Sequence, residues 1–152
     1  MGEGIYIYRW RPKSNRSRSK IYRDYYEPKM ERLYSVEKEL KTGEGIIKVG
    51  FNKVGNKHLF NDAFSGTHGI QKSDLPTIDK LLDNATYLGK ENYDPDKKVT
   101  KDKKYINKFY YFRIEMHGKP IVLNVARKTY KGRTTYFVYA INKHMRKKKR
   151  KQ

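Results

Sequence analysis

The stretch FYYFRIEMHGKPIVLNVARKTYKGRTTYFVYAIN, residues 109–142, decides the fold. It contains three runs rich in β-branched and aromatic residues: FYYFRIEM (109–116), IVLNVARK (121–128) and TYFVYAIN (135–142). Only HGKP and TYKGRT stand between them. Connections this short join antiparallel neighbours, because a parallel return needs a crossover of about a dozen residues. The expectation is a three-stranded meander. Side chains alternate across a strand, so Ile121, Leu123, Val125 and Arg127 share one face of the second run. Thr135, Phe137, Tyr139 and Ile141 share one face of the third. Arg127 then projects at the rim of the sheet, where it suits an anion.

Upstream, the period becomes helical. DYYEPKMERLYSVEKELK (24–41) spaces Met30, Leu33, Val36 and Leu40 by three and four, with Pro28 acceptable in a first turn. TGEG ends that pattern. IIKVGF (46–51) reads as a short strand or as the lead-in to KHLFNDAF, a helix start with Asn56 near its cap. SDLPTIDKLLDNATYL (73–88) is the clearest helix, capped by Ser73 or Asp74, with Ile78, Leu81, Leu82, Ala85 and Leu88 on one face. GKENYDPDKKVTKDKKY (89–105) reads as a charged loop. Helices followed by antiparallel strands give an α+β fold, with the N-terminal helices packed on one face of a twisted antiparallel sheet. The other face is left to a ligand. The expected organisation is a basic arm and helix over 1–45, a core over 46–143 and a basic tail over 144–152.

Charge narrows the partners. The 152 residues hold 36 Lys and Arg against 16 Asp and Glu, a formal +20, together with 14 Tyr. Such a field governs partners and association rate. It attracts nucleic acid, an anionic membrane or an acidic protein. RWRPKSNRSRSKIYR (9–23) and the run Arg146 to Lys151 are basic blocks of the kind that serve as nucleic-acid arms. Tyr25, Tyr26, Tyr110, Tyr111, Tyr136 and Tyr139 interleave with basic residues, as stacking platforms do, although strand aromatics are more often core. No apolar run approaches the ~18 residues that would span a bilayer. The first residues lack the apolar region of a signal peptide, so a cytoplasmic site of action is expected. Without Cys, neither disulfides nor thiolate zinc sites can form.

One stretch carries chemistry. KHLFNDAFSGTH (57–68) places His58 and His68 ten residues apart in a polar, glycine-containing segment. Metal-free RNA cleavage needs a base for the 2′-OH, an acid for the leaving oxygen and donors for the charge on phosphate. Histidine suits the proton steps because its ordinary pKa of about 6.5 lies near working pH. Candidates for the remaining parts are Arg127, Thr135 and Tyr139, with Lys57, Lys128, Arg133 and the arm residues Arg9, Arg11, Arg16 and Arg18 as nucleic-acid contacts. His117 reads as a turn residue and His144 as part of the tail. His58 and Asp62 have metal-ligand spacing, but no third ligand is at hand, so no metal and no cofactor is expected.

KVGFNKVGNKHLFNDAF (48–64), the helix LPTIDKLLDNATYL and the meander together resemble the nuclease domains of the barnase–EndoU–colicin–RelE (BECR) group. The likeness is to those of phage polyvalent proteins and bacterial polymorphic toxins, and it spans about residues 46–142. It implies a helical part packed on a four- or five-stranded antiparallel sheet, and metal-independent endoribonuclease activity, often on tRNA. The catalytic histidines of the group fall on His58 and His68, its strand-end base on Arg127 or Lys128, its late hydroxyls on Thr135 and Tyr139. Asp62 departs from the pattern, standing where some members have a histidine. A toxin of this kind would need an acidic immunity partner. The alternative reading is a non-catalytic, strongly basic RNA- or DNA-binding module.

Overall fold

The meander forms as its turns dictate. In a computed structural model, which describes residues 20–64, 70–93 and 104–142, it comprises β4 (Ile106–Met116), β5 (Lys119–Tyr130) and β6 (Arg133–Asn142). His117-Gly118 and Lys131-Gly132 make its two connections, with φ of 54° and 77°, then 52° and 77°. Positive φ at both central positions matches the right-handed twist of the flanking strands, and glycine takes the second position without a Cβ clash.

Three more strands complete a six-stranded sheet of order β1-β2-β6-β5-β4-β3. β1 (Glu37–Thr42) and β2 (Gly45–Gly50) form a hairpin, and β3 (Thr86–Asn92) pairs with β4. β2 runs parallel to β6 through Val49↔Tyr136 and Gly50↔Phe137, so the sheet is mixed and not wholly antiparallel. It also curls: the β1–β2 turn reaches across to β3 and β4 through Glu44.

Two helical readings change. The segment 24–41 is helical only to Ser35, through a wide turn (Tyr22–Tyr26), α1 (Glu27–Met30) and a 3-10 turn (Glu31–Ser35). Val36 is extended (φ −92°, ψ 136°), and EKELKT becomes β1 because the Gly43-Glu44 turn lets it pair with β2. Leu40 is buried opposite Ile47 in that register, where a helix would have placed it equally well. The boundary expected between residues 45 and 46 therefore falls inside a hairpin, and Tyr22, Met30, Leu33 and Leu40 belong to the main core.

The second helix, α3 (Lys72–Asn84), is wound in 3-10 turns with a break at Thr77 after Pro76, and it stops before ATYL. Its N-cap is Gln71, not Ser73 or Asp74; Asp74 Oδ2 accepts the Gln71 backbone N–H at 2.9 Å, closing a capping box. Thr86 to Asn92, three of them expected in the helix and four in the loop, instead extend the sheet along β4. A bulge between Tyr87 and Gly89 leaves Leu88 unpaired and exposed.

The central helix, α2 (Lys53–Phe64), carries His58. Asn52 Oδ1 accepts the Gly55 N–H at 2.9 Å, so Asn52 is the cap and Asn56 lies fully buried. α2 lies along the free edge of β6 beyond the two residues that β2 covers. Gly55 touches that edge: a Cβ there would stand 1.9 Å from the Val138 carbonyl oxygen. In the last turn of α2, Asp62 Oδ2 accepts the Ile141 backbone N–H at 2.9 Å. The helix thus closes a strand edge that would otherwise offer open donors and acceptors.

Buried residues form a cluster on each sheet face. The larger contains Leu59, Phe60, Ala63, Leu75, Ile78, Leu82, Tyr110, Phe112 and Val125, and the helices pack there. The smaller contains Ile106, Phe109, Tyr111, Ala126, Phe137 and Tyr139, with Val54 of α2 packed against it. A bulge in β6 between Val138 and Ala140 breaks the expected alternation, so Phe137 and Tyr139 face the smaller cluster while Ile141 turns into the larger. Among the described residues no helix is long and apolar enough to cross a membrane.

Candidate active site

His58 comes from the second turn of α2 and lies against Tyr139, with ring centroids 4.4 Å apart and planes at 33°. The Gly55 contact sets this meeting, since it draws α2 close enough to β6 for the next turn to overlie Tyr139. His58 is half-buried; its Nε2 and the Tyr139 hydroxyl are enclosed. Strand alternation places Thr135 and its partner Lys128 on the same sheet face as Tyr139. Four residues along a strand at ~3.3 Å each put Thr135 roughly 13 Å from Tyr139. Thr135 and Lys128 therefore lie too far along the strand to touch one small group together with His58.

Arg127 does not join them. It faces the larger cluster, paired in register with Tyr136 and Lys108. The sheet separates it from His58, so the two cannot serve one phosphate. Lys57 is exposed on α2 and Arg133 is exposed at the β5–β6 turn. His117 is a turn residue as expected, and its Nε2 lies 2.9 Å from Asp74 Oδ1. Asp62 is engaged by the β6 backbone. His68, His144, the tail run Arg146 to Lys151, and Arg9, Arg11, Arg16 and Arg18 lie outside the described residues.

Most of the interleaved tyrosines pack. Tyr110, Tyr111 and Tyr139 are buried, and Tyr111 donates its hydroxyl to Glu91 at 2.6 Å. An aromatic surface not anticipated from the sequence lies at the end of the sheet. Tyr105 and Tyr130, about 40% and 43% exposed, stand with ring centroids 4.6 Å apart. Lys104 Nζ lies 5.2 Å over the first ring and Lys131 Nζ 5.3 Å over the second. The Thr129 N–H donates to the Tyr105 carbonyl at 3.1 Å, which holds the pair together. Lys-Tyr and Tyr-Lys dipeptides beside each turn were the available signal, but only the register brings them together.

On the other face, the β1–β2 turn delivers an acid into a basic cluster. Glu44 accepts from the Tyr110 hydroxyl at 2.8 Å and from Lys108 Nζ at 3.2 Å, and it also pairs with Lys90. Lys90 first, then Tyr110 and Lys108, hold the Glu44 carboxyl down at about 2. Burial, and then the bond to Glu44, push the Tyr110 hydroxyl well above its ordinary value. A depressed carboxylate stabilises the fold above its unfolded value and loses that contribution as pH falls. The melting-temperature gap between wild type and Glu44→Gln is thus expected to be flat above pH ~5 and to close toward pH ~2. A gap that persists unchanged to pH ~2 would show that the carboxylate charge is not what holds the turn.

No family model, curated protein or solved structure matches the chain.

Proposed function

We propose that this chain binds RNA and cleaves it without metal, as an endoribonuclease of the BECR type. One observation carries the reading. His58 from α2, Lys128 from β5 and Thr135 and Tyr139 from β6 reach a single sheet face, the one the helices leave largely uncovered. His58 takes the proton of a 2′-OH; the oxygen attacks the adjacent phosphorus, the P–O5′ bond breaks, and the 5′ oxygen is protonated. The products are a 2′,3′-cyclic phosphate and a 5′-hydroxyl. Tyr139 orients the imidazole, and Lys128 and Thr135 hold the next nucleotides. The acid for the leaving group, which the resemblance assigns to His68, lies outside the described residues. Transfer RNA as substrate and an acidic immunity protein as partner belong to the same proposal.

The Tyr105–Tyr130 pair supplies the binding platform. Base stacking on an aromatic ring contributes ~1–3 kcal/mol per base. Replacing both by Ala is therefore expected to weaken binding of a short single-stranded RNA by tenfold or more (about 1.4 kcal/mol). Fluorescence anisotropy measures this, and unchanged affinity would remove the platform from the reading.

A second reading is favoured by the enclosure of His58 Nε2 and the Tyr139 hydroxyl, which keeps these atoms from a substrate. In it, the chain is a basic RNA- or DNA-binding module and the His58–Tyr139 stack is packing. Total bacterial RNA incubated with the protein in EDTA decides between them. Discrete fragments ending in cyclic phosphate support the enzyme; intact RNA that shifts on a native gel supports the binder.

A further inference from the structure

The Glu44 cluster lies at the same end of the sheet as Tyr105 and Tyr130, on the opposite face, at the mouth of the curled sheet. One carboxylate there meets Lys90, Lys108 and the Tyr110 hydroxyl. Arg127 stands beside Lys108 in register and on the same face. Among the described residues its Nε is buried with no hydrogen-bond partner. Two lysines therefore hold a single acid, a third cation stands beside one of them, and its guanidinium Nε is left unsatisfied, which costs free energy when buried. Tyr136, the other register partner of Arg127, also lines an open cleft of about 650 Å³ where β2 and β6 diverge, with Lys48 on its opposite wall. The cluster itself opens to solvent through Lys90 and Glu44, whose side chains are 41% and 37% exposed.

Two ammonium groups, a phenol hydroxyl and a guanidinium form the donor set of a phosphate. A phosphate carries more acceptor oxygens than a carboxylate, and guanidinium binds it in bidentate fashion. We infer that Glu44 occupies a phosphate-binding site formed by Lys90, Lys108, Tyr110 and Arg127, and that a phosphodiester of a single-stranded RNA displaces it. The hairpin tip then acts as an internal competitor. Only the source of the phosphate rests on the RNA reading; the site itself does not.

The test uses the full chain and a short 2′-O-methyl oligouridylate, which cannot be cleaved through its 2′ oxygen. Glu44→Gln, which keeps the turn and one acceptor, is expected to tighten binding about tenfold, the range of one charge-assisted contact. The slope of log K against log salt should steepen by roughly 0.7, as for one added phosphate on a single strand. Adding Lys108→Gln or Arg127→Gln to that variant should restore wild-type affinity. Glu39→Gln, which removes the same charge from the exposed side of β1, should change affinity by less than about twofold at this distance and salt. Equal tightening by Glu39→Gln, or tightening that ignores Lys108 and Arg127, would overturn the site and leave only a bulk charge effect.

Inorganic phosphate separates the two layers. Against chloride of equal ionic strength, it should raise the melting temperature of Glu44→Gln and hardly move that of wild type. Phosphate stabilisation without tighter oligonucleotide binding would keep the site and reject RNA as its source. No response to either probe rejects the site.

Discussion

Gly55→Ala is expected to unfold the protein, or to cost about 3 kcal/mol or more, the upper end of overpacking penalties. The usual expectation has the opposite sign, because Ala exceeds Gly in a helix interior by ~1 kcal/mol. Here the new Cβ would stand 1.9 Å from the Val138 carbonyl oxygen and 3.1 Å from its carbon, both backbone atoms of a central strand. Neither partner can retreat cheaply. Leu59 and Phe60 anchor α2 in the larger core, while Asp62 holds the Ile141 N–H at 2.9 Å. β6 is pinned by its ladder with β5. Gly50→Ala supplies the contrast: its Cβ would meet only the Val36 carbonyl oxygen at 3.6 Å, an ordinary contact, and it should cost less than ~1 kcal/mol. Urea unfolding followed by circular dichroism measures both. A Gly55→Ala protein as stable as wild type would mean that α2 does not rest on β6, and the His58–Tyr139 meeting would lose its basis.

The contrast between these glycines shows what could be read in advance. HGKP and TYKGRT announced their turns because the positive φ they need belongs to few residues, and β4–β5–β6 followed. EKELKT satisfied a helical period through Leu40 and a strand period through the same residue, and a single buried side chain cannot choose between them. The choice came from Gly43-Glu44 and from β2, both lying beyond the window in which periodicity operates. ATYL failed likewise, since the edge of β4 that recruits it, Phe112 and Arg113, lies far downstream of the window. The site shows the same division. Alternation placed Thr135 and Tyr139 on one face correctly, then the β6 bulge turned Ile141 away from them. Arg127 and Lys128 were interchangeable as strand-end bases in the sequence, but adjacent residues face opposite sides, and only Lys128 shares the face of Tyr139. Glu44 had no signal at all. Its partners Lys90, Lys108 and Tyr110 lie 46, 64 and 66 residues away, and only the curl of the sheet brings them together.

His58→Ala carries the largest functional effect. Positioned acid–base catalysis contributes ~10²–10⁴ in rate, so cleavage in EDTA should fall by that factor. Affinity for an uncleavable oligonucleotide should stay within about twofold, since the stacking pair and the basic end of the sheet supply binding energy elsewhere. The loss could also arise from packing, because the imidazole covers Tyr139. His58→Phe separates the two causes: it keeps an aromatic ring over Tyr139 and removes the proton-transfer nitrogens. If the imidazole does chemistry, Phe and Ala are equally inactive while Phe retains the wild-type melting temperature. If it only packs, Phe restores cleavage. Tyr139→Phe extends the argument, since it keeps the ring contact at 4.4 Å and removes only the enclosed hydroxyl. A rate unchanged in Tyr139→Phe would confine Tyr139 to orienting the imidazole. Full activity in all three variants would move the cleaving site off this face.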